Sequence, residues 1–531
     1  MLISVNKITN AFKWSFFWVL LLLNSDVKSQ VQKGTDIHGL AGFDFSGWSV
    51  SMPDGNTIGM GAVGHNQSRG HARVYRWNGS SWAQKGLDIN GESGGDNSGQ
   101  SVSMPDSNTI AVGAHLNAGN GTRSGHVRIY KWNGTAWVKR GLDIDGEASG
   151  DRSGFSVSMP DSNTVAIGAY DNNGAFGHVR IYRWNGSAWV QKGIDIDGEI
   201  INDYSGYSVS MPDSNTVAIG AYGNDGSAGS SGHVRIYRWN GSAWVQKGID
   251  IDGEAGNDFS GWSVSMPDSI TVAIGAYGND GNGVDAGHVR IYSYNGTAWV
   301  QKGSDIDGEA AGDQSGSAVS MPDANTVAIG AFTNDGNGAD AGHVRIYVWN
   351  GTSWVQKLND IDGEAAGNYF GYSVSMPSAG IVAVGAPRNS PTFSNQGDVR
   401  IFKLCNNSTG SITTSLCDRY VSPSGKYSWT ASGTYTDTIA NKSGCDSIIT
   451  INLTILPKPS SDFTVNDTNQ CWVSHSFDYT NSSISNLTNT ALSYIWDFGD
   501  TTTNTSANPS KVYATPGRRL VSLVVDRKSV V

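Results

Sequence analysis

The stretch Ser208 to Ala221, S-V-S-M-P-D-S-N-T-V-A-I-G-A, decides the fold of this chain, because it occurs seven times in this or a closely similar form. Its methionines are Met52, Met104, Met159, Met211, Met266, Met321 and Met376, spaced 52, 55, 52, 55, 55 and 55 residues apart. Within one period, Tyr207 to Met211 alternates as a strand, and Pro212-Asp213-Ser214-Asn215 is turn chemistry. Thr216 to Tyr222 is rich in β-branched and small residues and reads as a buried strand. A Gly/Asn/Asp loop leads to a third strand, His233 to Trp239. Asn240-Gly241 then predicts a two-residue hairpin turn, and Trp244 to Ile251 a fourth strand. The Gly-rich run Asp252 to Gly261 leads into the next period.

Several short strands in a period of roughly 40–55 residues are the mark of a propeller blade. The ends of the array predict closure. The seventh copy stops at Leu404 after three strands, and its missing V-Q-K-G-x-D-I strand stands at the other terminus, Val31 to Ile37. Pairing the two closes the ring and removes its open edge. An open solenoid would need capping repeats and would not supply its missing strand from the far end. The reading is an all-β chain whose residues 30–404 form a seven-bladed β-propeller, monomeric as a closed ring.

The string D-G-E-A-A-G-N-Y-F-G-Y-S-V at Asp362 to Val374, followed by V-A-V-G-A-P at Val382 to Pro387, resembles the bacterial FG-GAP repeat. Other copies drift, with Ser260-Gly261 for FG and Gly275-Ala276-Tyr277 for GAP. The resemblance runs from Val31 to Leu404. FG-GAP repeats also build the integrin α-subunit propeller, where a D-x-D-x-D-G calcium loop joins the first two strands. Here that connection is only M-P-D-x-N-T, so the resemblance does not bring that calcium site with it.

Beyond the ring, Cys417 to Cys445 brackets a segment that resembles a small module of secreted Bacteroidota proteins. Residues 405–456 are accordingly expected to be a small disulfide-containing β module. A Cys417–Cys445 bridge is preferred there, although four cysteines allow three pairings. After Leu456-Pro457-Lys458-Pro459, the run Tyr494-Ile495-Trp496-Asp497-Phe498-Gly499-Asp500, with Asn508-Pro509 and Val512-Tyr513, resembles a PKD domain, an immunoglobulin-like sandwich. Thr501 stands where that family usually has Gly. Residues 457–525 are expected to be this domain in incomplete form. Arg519 to Val525 would be its penultimate strand, and Cys471 is expected to be unpaired. Residues 526–531, D-R-K-S-V-V, match a reading frame of a common sequencing adapter and are expected to be an artefact.

Residues 1–29 read as a secretory signal. Lys7 and Lys13 precede an apolar core from Trp14 to Leu23, and Val27-Lys28-Ser29 suits cleavage before Gln30. An uncleaved anchor is the alternative. No other segment approaches 18 apolar residues, so no transmembrane segment is expected after cleavage. The mature chain is expected to be secreted or on the outer cell surface. The formal charge of −11 becomes −14 once the +2 of residues 1–29 and the +1 of residues 526–531 are set aside. With no basic run, this argues against nucleic acid and anionic membranes as partners.

The candidate chemistry is repetitive. His71, His126, His178, His233, His288 and His343 recur at one blade position, with Asp398 in the seventh copy. Each sits on a different blade, so the histidines cannot converge on one metal ion. Arg128 to Arg400, two residues after them, read as blade-to-blade hydrogen bonders. Trp pairs such as Trp184 and Trp189 read as cross-strand aromatics, with an exposed subset able to stack on sugars. The N-x-S/T sequons at Asn133, Asn185, Asn240, Asn295 and Asn350 coincide with turns and need no glycan to explain them. The loops holding Asp280, Asn282 and Asp285, and Asp335, Asn337 and Asp340, offer oxygen ligands on a Gly frame, which makes calcium the one candidate cofactor. Ordinary turns account for the same residues. A second candidate is D-x-D-G-E, as in Asp305, Asp307 and Glu309. No single blade holds a distinct acid–base pair, a nucleophile with its base, or a phosphate loop. The expectation is a non-catalytic adhesion or scaffold protein binding extracellular glycan or protein through its loop faces. The alternative is a polysaccharide hydrolase or lyase on a propeller.

Overall fold

The computed structural model describes residues 30–405, 408–416, 419–440, 446–471, 473–488 and 490–527. The expected signal, residues 1–29, lies outside the described residues, as do Cys417, Cys445 and residues 528–531.

Seven antiparallel sheets repeat around a ring. In the fourth, the inner strand Ser208–Asp213 pairs with Thr216–Ala221, which pairs with His233–Trp239, which pairs with Trp244–Gln246. The two-residue reversal after the inner strand is held by Asp213, whose carboxylate accepts from the Asn215 N–H at 2.7 Å and the Thr216 hydroxyl at 3.1 Å. That is the physical content of the P-D-x-N-T signature.

Two details of the outer hairpin differ from expectation. Trp239 pairs with Trp244, so the turn has four residues rather than two. Gly241 alone takes a positive φ, +106°. The Asn240 side chain does the work of the second left-handed residue, its Oδ1 accepting from the N–H groups of Ser242 and Ala243, both at 2.9 Å. The fourth strand also breaks after Gln246 and resumes at Ile251–Asp252, against the same third strand. Gly248, at φ +83°, begins the bulge between them.

Blades join through the S-x-S-M motif. Ser208 Oγ donates to the Gly261 carbonyl of the next blade at 2.7 Å, and Ser210 Oγ accepts the Met266 N–H at 2.9 Å. Gly220 lies so close to that neighbour that a Cβ would stand 2.0 Å from the Gly261 oxygen. Each core cluster is shared between blades. One holds Ile181 and Ile196 of the third blade with Met211, Val217 and Ile219 of the fourth.

The ring closes as expected, by the same rules. Gln30–Gln32 and Ile37–His38 complete the seventh sheet against Asp398–Leu404. The Met52 N–H donates to Ser375 Oγ at 2.9 Å across the seam. Ile37, Met52 and Ile58 share a core cluster with Ile381, Val399 and Ile401. Single tight turns with left-handed backbone at His65–Ser68 and Asn172–Ala175 depart from all-β structure in two loops.

The small module is a three-stranded sheet. Asp446–Ile455 lies between Ser408–Leu416, which is parallel to it, and Gly433–Ala440, which is antiparallel. The PKD region has two three-stranded sheets around Phe477, Tyr479, Trp496, Phe498 and Tyr513. Its final strand, Ser522–Arg527, runs two residues past the boundary expected at Val525. Cys405 is buried and disulfide-bonded, whereas Cys471 is exposed with a free thiol, as expected.

Candidate functional site

Strand direction places the candidates on one face of the ring. The inner strand starts there, the second strand ends there, and the third starts there, since Ala221 pairs with His233 and His233 with Asp252. This face therefore carries the residue before each inner strand, the oxygen-rich loops and the links between blades. The opposite face carries the P-D-x-N-T and N-G turns.

The residue before the inner strand is Gln100, Phe155, Tyr207, Trp262, Ser317 or Tyr372 in blades two to seven, and the equivalent Trp48 of blade one lies inside its longer strand, Ser46–Asp54. Inner strands line the central channel, so these positions ring its mouth. The ring centroid of Tyr207 lies 4.7 Å from that of Phe155 and 4.4 Å from that of Trp262, and Trp48 lies 4.7 Å from Tyr372 across the seam. A second tier, at the end of the second strand, adds Tyr170, Tyr222, Tyr277 and Phe332. Tyr222 stands edge-on to Tyr207 at 4.5 Å, and Tyr277 contacts Trp262 at 4.4 Å. Tyr204 and Phe259 stack on Tyr222 and Tyr277 at 5.0 and 5.2 Å. Both have left-handed backbone, with φ of +54° and +55°, a conformation costly for aromatic residues. Burial holds the Tyr207, Tyr222 and Tyr372 hydroxyls well above the usual phenol range, so they stay neutral donors and acceptors. The mouth is thus an aromatic surface with polar gaps at Gln100 and Ser317. The repeat signature hides it, because this column varies between copies. A comparison of the seven copies column by column would have found it.

At the boundaries entering blades two to six a buried histidine meets two carboxylates. His288 Nδ1 lies 4.0 Å from Glu254 Oε2, on the preceding link, and 3.6 Å from Asp305 Oδ2, in the outer-strand bulge. The same residue types meet in blades three, four and six. The histidines are indeed one per blade, but each finds its glutamate across a blade boundary, on the preceding link, which their spacing alone does not reveal. Burial, and then the neighbouring guanidinium, push His233, His288 and His343 well below the usual imidazole range. They are neutral at pH 7.

The arginines join blades as expected. Arg235 Nη2 donates to the Asp197 carbonyl on the preceding link at 2.7 Å, and Arg290 and Arg345 bond the Asp252 and Asp307 carbonyls at 2.6 Å. The Trp pairs are cross-strand, edge-to-face at 5.5 Å for Trp184–Trp189 and Trp239–Trp244. A cation from the preceding blade covers each of these pairs. Lys192 Nζ lies 5.2 and 5.0 Å from the rings of Trp239 and Trp244, and Trp244 Nε1 donates to the Lys192 carbonyl at 2.7 Å. These tryptophans are latch residues between blades.

In the oxygen-rich loops, Asp280 Oδ1 and Asp335 Oδ1 accept the N–H groups of Asp285 and Asp340, each at 2.9 Å. Asn282 Nδ2 donates to the Gly308 and Glu309 carbonyls, and Asn337 Nδ2 to those of Gly363 and Glu364. These atoms fold the loops onto the neighbouring links. The acidic residues of D-x-D-G-E serve two interfaces rather than one loop: Asp305 faces His288, and Glu309 faces His343.

Residues 245–292 match the family model of the FG-GAP repeat, and residues 458–530 that of the PKD domain. The chain carries FG-GAP repeat sequence within a seven-bladed propeller, followed by a PKD domain. No curated protein matches it. Among solved structures, the propeller domain of the Trilobed protease from Pyrococcus furiosus aligns at 12% identity, covering 64% of this chain and 90% of that one, with a TM-score of 0.36. Chaetomium thermophilum Sqt1, bound to the N-terminus of ribosomal protein L10, aligns at 14% identity over 66% and 86%, with a TM-score of 0.38. Pyrococcus horikoshii acylaminoacyl peptidase aligns at 13% identity over 64% and 49%, with a TM-score of 0.37. These values carry no functional argument. Among the described residues no helix is long and apolar enough to cross a membrane.

Proposed function

We propose that this chain is a non-catalytic extracellular binding protein whose propeller face holds a glycan at the aromatic channel mouth. FG-GAP and PKD domains are typical of extracellular adhesion-type proteins, which supports the location and the general role. The observation that carries the ligand class is the clustering of Phe155, Tyr207 and Trp262 with the tyrosines behind them. Aromatic faces combined with phenol hydroxyls suit sugar rings, which present apolar C–H faces and equatorial hydroxyls. Repeated blades also suit a repetitive polymer. A protein ligand is the second outcome. A hydrolase or lyase would need a unique acid–base set, whereas this face offers copies of one arrangement.

The test is a glycan array probed with the chain from Gln30 onward, followed by calorimetry on the hits. Trp262→Ala and Tyr207→Ala should each weaken binding by at least about tenfold, a typical loss for an aromatic anchor, with little change in melting. Glycan binding that ignores both changes would defeat the assignment. Turnover of any bound polysaccharide, abolished by one substitution, would move the chain to the enzyme class.

A further inference from the structure

We infer that the boundaries entering blades three to six each hold one divalent transition-metal cation of the zinc type, bound by the histidine, aspartate and glutamate that meet there.

The geometry at His288 is that of a prepared donor set. Its side chain is 1% exposed, and Nδ1 has no hydrogen-bond partner. That nitrogen faces two carboxylate oxygens, at 3.6 and 4.0 Å, too far for hydrogen bonds. One donor atom from each of the three residues lies within 4.8 Å of the other two. Tetrahedral zinc with bonds of about 2.1 Å sets its ligands ~3.4 Å apart, so modest contraction suffices. Imidazole with carboxylates is a donor set that first-row transition ions accept.

The second oxygen of each carboxylate is held by a neighbour. Gln301 Nε2 donates to Asp305 Oδ1 at 2.5 Å, and Arg290 Nη1 lies 3.5 Å from Glu254 Oε1. Asp258 Oδ2 accepts the Glu254 N–H at 3.1 Å and fixes the link that presents Glu254. Such outer contacts orient metal ligands. Blade four repeats the pattern, with His233 Nδ1 unpartnered, 3.8 Å from Asp250 Oδ2 and 4.0 Å from Glu199 Oε2. Blades three and six bring the same three residue types together, and blade two holds Glu92, His126 and Asp143 within the same reach but differs in what surrounds them. In blade two, Lys139 Nζ and Arg128 Nε occupy the two oxygens of Asp143 at 2.7 and 3.4 Å. Leu40 stands where the link entering blade one would need Glu, and Asp398 replaces the histidine of blade seven. Because the glutamate comes from the link and the other two ligands from the next blade, each cation would pin a link on the binding face.

The chain from Gln30 onward, stripped with chelator, is loaded with zinc chloride, desalted and assayed for metal by mass spectrometry. Four equivalents are expected. Glu254→Gln, at a half-exposed side chain, and Asp305→Asn should each lower retention from four to three, with metal-free melting little changed. Cobalt(II) should give visible ligand-field absorption that falls by about a quarter in either variant. A folded parent that retains less than one equivalent overturns the inference. So does retention unchanged by both substitutions, which would place the zinc elsewhere.

Discussion

Removal of residues 30–38 tests whether the ring is held shut by its N-terminal strand. The cost can be worked from the seam. Ile37 is buried, and losing it removes roughly 2–3 kcal/mol of hydrophobic burial. Hydrogen bonds go with it, among them four strong ones: Lys33 N–H to Ile401 O at 2.7 Å, Trp82 Nε1–H to Lys33 O at 2.6 Å, Arg73 Nη2 to His38 O at 2.7 Å, and Lys33 Nζ to Asn56 Oδ1 at 2.7 Å. At about 1 kcal/mol net each, they add roughly 4 kcal/mol. Lys33 also covers the rings of Trp77 and Trp82 at 5.1 and 5.0 Å, worth about 0.5–1 kcal/mol for each partly exposed contact. The loss of roughly 7–9 kcal/mol is comparable to the whole stability of a typical domain, about 5–15 kcal/mol.

The assay is thermal unfolding and gel filtration of chains starting at Gln30 and at Gly39. The shorter chain should melt on the order of 10 °C lower or more. It should also self-associate, because the strand Asp398–Leu404 becomes a bare edge. A synthetic peptide of residues 30–38 added in trans should restore melting and monomer. If the shorter chain melts like the parent and stays monomeric, the seam contacts are not what closes the ring.

Three further outcomes are expected. Burial lifts the Asp398 carboxyl to about 7, against 3.8 in the unfolded chain, so its contribution is fully present below pH 4 and is lost as pH rises through 7. Asp398→Asn, which cannot ionise, should therefore gain in melting temperature relative to the parent as pH rises from 5 to 7, the parent losing about 1.4 kcal/mol for each pH unit in that window; an advantage independent of pH would contradict this. Asp280→Asn with Asp285→Asn tests the loops as calcium ligands: if turn bonds alone hold them, millimolar calcium leaves parent and variant melting alike, whereas calcium binding would raise the parent by RT ln(1 + [L]/Kd) and shrink in the variant. Alkylation of the native chain should label the peptide containing Cys471 and spare that containing Cys405, and the reverse pattern in peptide mapping would contradict the free thiol.

The ring is legible in the sequence because one local rule is repeated and every copy obeys it. The S-x-S-M serines, the Asp213 reversal and the seam strand all follow from the period and from the displaced last strand. The outer turn departs from its prediction because dihedral preference alone makes Asn-Gly a two-residue reversal, whereas the Asn240 carboxamide supports a four-residue one. The His–Glu–Asp meeting is not legible. Glu254 precedes His288 by 34 residues and Asp305 follows it by 17, across a blade boundary, so no local motif joins them. Sequence adjacency points to Asp280 and Asp285 as calcium ligands. In the structure, the acidic groups that converge are the ones far apart along the chain.

Where the copies agree and where they differ have separate physical causes. Ser210, Met211 and Gly220 each fit a neighbouring blade, and seven equivalent boundaries impose one answer. The residue before the inner strand answers to no such constraint, since it stands at the channel mouth. Packing accepts Gln100 and Ser317 there, so it does not require Trp48, Phe155, Tyr207, Trp262 and Tyr372. Nor does it require Tyr204 and Phe259 in left-handed backbone, where Asn97 and Gln314 take the same φ in other blades. Aromatic residues concentrated at the one place where the scaffold is indifferent are better explained by what enters the mouth than by what holds the ring. That reasoning makes blades three to five, rather than the ring as a whole, the place where ligand selectivity resides.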